Sequence, residues 1–177
     1  NKRFRDRLIS LIERTELNSV MIDIKEVDGI VTSREFSGID PKMEIENRIP
    51  DLQKLLESLS NKNIYTIARI VVFKDAHMTE EYPEWAIKQL DQKTIWKDFG
   101  GKTTIDPGAK EYWDYILALS DRAYALGFDE INLDYIRFPS DGDMETTWYP
   151  FSQETIDNDP RNGKSQILTE FHEYFHD

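Results

Sequence analysis

The chain has 177 residues, 39% hydrophobic and 32% charged, which suits one soluble globular domain with a real core and excludes a disordered segment. Its net charge of −12 argues against nucleic acid, which needs a basic footprint, and against adsorption to an anionic membrane. The absence of cysteine excludes disulfides and thiol chemistry, and no apolar run approaches the roughly 18 residues of a membrane span, so no membrane insertion is expected.

The first residues, NKRFRDRLISLIERT, carry no secretory leader and read as the interior of a longer chain, hence an excised domain. Within them Phe4, Leu8, Leu11 and Ile12 recur at helical spacing. SVMIDIK, 19–25, is a short β-rich run with Val20, Ile22 and Ile24 on one face and Asp23 and Lys25 on the other. Gly29 marks a possible hairpin in VDGIVTSREF, inside a polar loop that runs to Pro41. A helix is predicted over 49–59, with Leu52, Leu55, Leu56 and Leu59 on one side and NKN at its end. IYTIARIVVF, 64–73, is the most strand-like run, with Arg69 on the face of Ile67 and Val71 and with Lys74 and Asp75 just beyond.

Residues 74–110 read as a long irregular segment holding Trp85 and Trp96, with a short helix near PEWAIKQL as its one regular element. Tyr112, Ile116, Leu119 and Ala123 predict a core-facing helix over 109–126 that stops at Gly127, and Trp113 falls in that core. The next strand lies near 128–138, a second long polar loop reaches about Gly163, and a last helix runs from Ser165. Strands alternating with helices predict parallel βα units with right-handed crossovers, in a single domain over 1–177. Three principal strands do not close an eightfold barrel, so the fold class is α/β, either a small open sheet or part of a TIM-type barrel.

The densest signal is FDEINLDYIRFPSDG, 128–142. Ile131, Leu133 and Tyr135 alternate with Glu130, Asn132 and Asp134, so a polar face ends in a carboxylate at the strand's C-terminal end. All three strands carry ionisable groups on one face or at their ends, and long aromatic loops follow two of them. Because polar interiors are costly unless paired, these groups suggest one pocket gathering Asp23, Lys25, Arg69 and Asp134. The bland alternative is an ion-pair network that only holds the sheet together.

MIDIKEVDG, IYTIARIVVFKD, PEWAIK with the later Trp96, Asp106 and Pro107, and above all GFDEINLDYIRFPSDG resemble a family of glycoside hydrolase domains in the TIM-barrel glycosidase superfamily. The resemblance covers about Ser19 to Gly142, with four motifs in order. It implies a partial barrel acting on poly- or oligosaccharide, and a secreted or cell-envelope location. It calls for no cofactor. In the α-amylase-like and α-galactosidase-like barrels an Asp at the end of the fourth strand is the nucleophile, and Asp134 matches that place. The amylase-like pattern has an Arg two residues earlier, where this chain has Asn132; Arg137 and Lys25 are substitutes for orienting the acid or binding substrate. Hydrolysis then runs with two carboxylates, one ionised and one protonated. The proton donor in such barrels comes from a later strand; Asp23, Asp75 and Asp106 are the acids to weigh within the chain. Trp96 and Trp148, in loops after strands, are candidates for stacking on sugar rings, and open sheet edges could pair two copies.

HEYFH, 172–176, formally matches H-E-x-x-H, but its helix packs through Ile167, Leu168, Phe171 and Phe175, and His77 is the sole other histidine, so no metal is assigned. DGDME has the acid spacing of a calcium loop without the rest of the pattern. Three readings follow: a glycoside hydrolase domain, a carbohydrate-binding module on the same scaffold, and a small metal-dependent hydrolase.

Overall fold

The structure, a computed structural model, describes residues 2–176. Helix α1 (Lys2–Glu13) leads into β1 (Ser19–Lys25), followed by α2 (Leu52–Ser60) and β2 (Tyr65–Val71). Then come α3 (Ala76–Glu81), the two-residue β3 (Lys88–Gln89), α4 (Lys110–Leu126) and β4 (Glu130–Asp134). The two-residue β5 (Thr147–Trp148), α5 (Gln153–Asn158) and α6 (Gly163–Tyr174) complete the order. β1, β2 and β4 form a parallel sheet in the order β1-β2-β4, the βα arrangement of a partial TIM-type barrel.

Register assigns the two faces. Thr66, Ala68 and Ile70 of β2 are buried; Ile131 and Leu133 of β4 align with Ala68 and Ile70 and are partly buried with them. This face packs into the main core with Leu52 and Leu56 of α2 and Ile116, Leu119 and Ala123 of α4. Arg69 aligns with Asp23 on one side and Asn132 on the other, and Val71 aligns with Asp134. Alternation puts these four polar residues on the face turned away from the helices.

One irregularity interrupts β1. Asp23 pairs with Arg69, yet Lys25, two residues on, pairs with Ile70, only one residue on. Ile24 is the extra residue of a β-bulge. The bulge rotates Lys25 off the Asp23 face, and both Ile24 and Lys25 are fully buried.

The elements begin and end where local chemistry dictates. Pro50 disfavours helical geometry at Ile49, so α2 starts at Leu52 rather than at 49. α4 stops at Gly127, whose φ of 100° takes the left-handed conformation that ends a helix. The expected hairpin forms: Lys25 bridges Val31, and the turn passes Gly29 at a φ of 91°. PEWAIKQL does not form a helix. Pro83–Trp85 makes one 3-10 turn, after which Ala86 and Ile87 are extended and buried, with the Ile87 amide bonded to Thr104 O at 3.0 Å. β3 and β5 then form an antiparallel pair, Lys88 with Trp148 and Gln89 with Thr147, over a second small core of Ile87, Trp96, Phe138, Tyr149 and Ile167.

Ile9 and Ile12 of α1 cluster with Val20 and Ile22 of β1, the sheet's edge strand, and with Leu55 and Leu59 of α2. An apolar groove of about 640 Å³ runs between them, walled by Phe4, Leu8 and Ile9 of α1, Val20 and Met21 of β1, and Leu55 and Leu59 of α2. No helix among the described residues is long and apolar enough to cross a membrane.

Candidate active site

Asp134 is the last residue of β4 and lies at the carboxyl edge of the sheet, where open α/β folds place ligands. Arg69 of β2 reaches it twice: Nε donates to Oδ2 at 2.9 Å and Nη2 donates to the same oxygen at 2.6 Å. The third arm of the guanidinium, Nη1, donates to Asp23 Oδ1 at 2.7 Å. One arginine therefore ties the carboxylates of β1 and β4 across the strand between them. Asp134 Oδ1 accepts from the Tyr135 amide at 2.7 Å.

Burial pushes the Asp134 carboxyl up. The Arg69 hydrogen bonds, the Tyr135 amide and the positive fields of Arg69 and Arg137 outweigh it and hold the group below the usual carboxylate range. The group is ionised at neutral pH, and its side chain remains 41% exposed and open to a ligand. Partly solvated ion pairs of this kind contribute about 1 kcal/mol or less to stability. The Arg69 fork therefore specifies geometry more than it stabilises the fold.

Tyr135 follows with a φ of 57°, a left-handed conformation that is costly for a bulky residue and marks a backbone held in place by its surroundings. Its ring lies 5.9 Å from Lys74 Nζ and 5.5 Å from the Arg137 guanidinium. Lys74 pairs with Asp98 at 3.0 Å, and Arg137 bonds the Ser140 hydroxyl. These residues, with Asp141, line a shallow depression of about 30 Å³ just beyond Asp134. Two cations and two carboxylates balance there, so its chemistry is polar and near neutral.

The structure thus gathers Asp23, Arg69, Asn132 and Asp134 on one face, with Arg137 in the adjoining loop. Lys25 is not among them. The bulge turns it to the helix-packed side, where its ammonium pairs with Asp75 at 2.8 Å, both side chains fully buried. Trp96 is not available for stacking: it is 2% exposed in the second core, and its Nε1 donates to Asp143 O at 3.1 Å. Trp148, in β5, is half-buried. Asp75 and Asp106 are both committed elsewhere. Asp75 caps α3 through the Met78 amide at 2.8 Å. Asp106 accepts from the amides of Gly108, Phe151 and Ser152 and from the Ser152 hydroxyl, tying two loops together. Sequence reasoning missed Asp98 and Ser140, which lie in loops without periodicity, and weighed Asp141 only as part of a calcium-like acid spacing. It also missed the conformation of Tyr135, a residue type that disfavours a positive φ. No cluster of three metal-donor side chains occurs among the described residues.

A family model described as "Putative glycosyl hydrolase domain" matches residues 1–176. The chain belongs to that family. No curated protein matches the chain. Among solved structures, it is similar to a hypothetical protein from Ruminiclostridium thermocellum, with 29% identity and a TM-score of 0.84 over 99% of this chain and 85% of that one. It is also similar in fold to an α-galactosidase from Lactobacillus brevis, with 13% identity and a TM-score of 0.64 over 97% of this chain and 22% of the enzyme. An α-galactosidase from Thermus thermophilus in complex with stachyose shares 17% identity and a TM-score of 0.54 over 73% of this chain and 28% of the enzyme. The domain thus spans under a third of either galactosidase, and these two likenesses establish a shared barrel-type fold.

Proposed function

We propose that the domain hydrolyses glycosidic bonds in a poly- or oligosaccharide, with Asp134 as the catalytic carboxylate. The observation that carries this reading is the Arg69 fork, which holds a half-exposed Asp134 ionised at the sheet's carboxyl edge. In a retaining reaction the carboxylate attacks the anomeric carbon, the bond to the leaving oxygen breaks, and a second carboxyl group protonates that oxygen; water then releases the sugar. In an inverting reaction Asp134 takes a proton from the attacking water instead. Of the three acids weighed from the sequence, Asp23 alone shares the Asp134 face. Asn132, Arg137 and Trp148 are the proposed substrate contacts. The balanced charges around Tyr135 suit uncharged sugars, whose hydroxyl groups both donate and accept hydrogen bonds.

The second reading is a domain that binds sugar without cleaving it. It draws on the depression beside Asp134, whose volume of about 30 Å³ does not enclose a sugar ring. One experiment separates the two. The protein and its Asp134→Asn variant are incubated with a panel of glycans, while released sugar and bound glycan are measured in parallel. Cleavage lost in the variant with binding retained supports hydrolysis. Binding by both proteins with no cleavage by either supports the second reading.

A further inference from the structure

Lys25 is a fully buried lysine that the proposed chemistry does not touch. Its ammonium has two polar contacts: it donates to Val71 O at 2.7 Å and pairs with Asp75 at 2.8 Å. The Tyr112 hydroxyl of α4 lies 2.7 Å from Val72 O and 2.9 Å from Asp75 Oδ2 and shares its one proton between them. Lys25 and Tyr112 thus grip the carbonyls of two successive residues, Val71 and Val72, where β2 ends. Those same residues hold Asp134 from the other side. Val71 is the register partner of Asp134, and the Val72 amide donates to Asp134 O at 2.8 Å. Gly29 closes the arrangement, since a Cβ there would stand 2.0 Å from Asp75 Oδ1.

A buried ion pair is a poor way to add stability. Replacing both charges with well-packed apolar groups is often neutral or stabilising, whereas removing one partner leaves an uncompensated buried charge and is strongly destabilising. What such a pair does supply is a fixed geometry. We propose that Lys25, with Asp75 and Tyr112, is a positioning device for Asp134: from the helix-packed side of the sheet it locks the end of β2, and so the distance from Arg69 to the Asp134 carboxylate. Asp134 and Arg69 sit on adjacent strands, so any slackening of β2 beyond Arg69 loosens the fork. Lys25 touches no substrate in this arrangement. The proposal rests on the reading of Asp134 as the catalytic carboxylate, but its test does not require turnover.

The test is the titration midpoint of Asp134, followed by carboxyl-carbon NMR and assigned by loss of its signal in Asp134→Asn. A single Lys25→Met change would also remove a positive field, so the charge-neutral pair Lys25→Met with Asp75→Asn is used. The expected result is a rise in the Asp134 midpoint by about one pH unit, the size of a weakened charge-assisted hydrogen bond. Lys88→Met serves as the control. It removes another buried lysine, one that bonds Pro83 O, and is expected to lower stability without moving the midpoint. An unchanged midpoint in the double variant, or an equal rise in Lys88→Met, overturns the proposal. If the double variant does not fold, Tyr112→Phe decides in its place: it deletes only the hydroxyl, and a rise supports positioning while no change overturns it. Failure of the catalytic reading shows separately, as cleavage that survives Asp134→Asn.

Discussion

Arg69 grips Asp134 at a single oxygen, Oδ2, with two of its nitrogens, and spends its third on Asp23. The arrangement uses the planar fork of a guanidinium, with donors in fixed directions. A lysine at this position presents a compact ammonium that cannot span both carboxylates from one strand. Arg69→Lys is therefore expected to lower kcat/KM about 100-fold through misplacement of Asp134. Thermal unfolding checks the other half of the claim. Because the three side chains are partly solvated, stability should change by about 1 kcal/mol or less.

The same fork sets a pH dependence. Asp134 is held below the usual carboxylate range, so it stays ionised as pH falls past the range where ordinary carboxylates take up protons. The acid limb of the activity profile is expected to lie below that range, and Arg69→Met is expected to move it upward. For stability the sign is that of a depressed carboxyl. The contribution is complete above the unfolded-state pKa of about 3.9 and is lost as pH falls through the lower folded-state value. Activity and denaturant unfolding measured across acidic pH, for both proteins, check the two statements.

The strands and the shared face of Asp23, Arg69, Asn132 and Asp134 were legible in the sequence, because the two-residue period of a strand assigns faces without coordinates. The same rule misplaced Lys25. It assumes unbroken alternation, and a bulge breaks it with no composition signal beyond an ordinary isoleucine. Trp96 was misread for a different reason. Long loops here carry their own small core, and a tryptophan inside such a core has the same local sequence as one that meets a ligand. The β3–β5 pair was invisible because two residues per strand give no period to detect. The left-handed Tyr135 was invisible because that conformation is imposed by Asp134 and the following loop rather than by propensity.

Gly29→Ala tests how tightly the buried network is closed. The added Cβ would meet Asp75 Oδ1 at 2.0 Å, and the φ of 91° is unfavourable for any side chain. Asp75 cannot retreat without releasing Lys25 and the α3 cap. A loss of roughly 3 kcal/mol or more in unfolding free energy is expected, combining backbone strain with a disturbed buried pair. A loss under about 1 kcal/mol would show that the loop between β1 and α2 relaxes freely.

Tyr135→Gly separates stability from chemistry. Glycine adopts a φ of 57° without the steric cost that tyrosine bears there, which favours the folded state by on the order of 1 kcal/mol. The variant also deletes the ring between Lys74 and Arg137 that borders the depression beside Asp134. Thermal stability is expected to be maintained or to rise while cleavage of glycan falls at least tenfold. Unchanged turnover would remove Tyr135 from the site.

The bulge at Ile24 means that two neighbouring ionisable side chains in β1 have opposite fates, separated by the parity of one inserted residue. Deleting Ile24 would restore even alternation yet keep Lys25 opposite Ile70, on the helix-packed side. Straightening β1 with Ile24 kept would instead turn the Lys25 ammonium out toward water and strand the Asp75 carboxylate alone in the protein interior. Loss of the bulge by that route would dismantle the underpinning of Asp134 while leaving Asp134 itself untouched. In this domain, the pairing of β1 is as much a part of the chemistry as the identity of its residues.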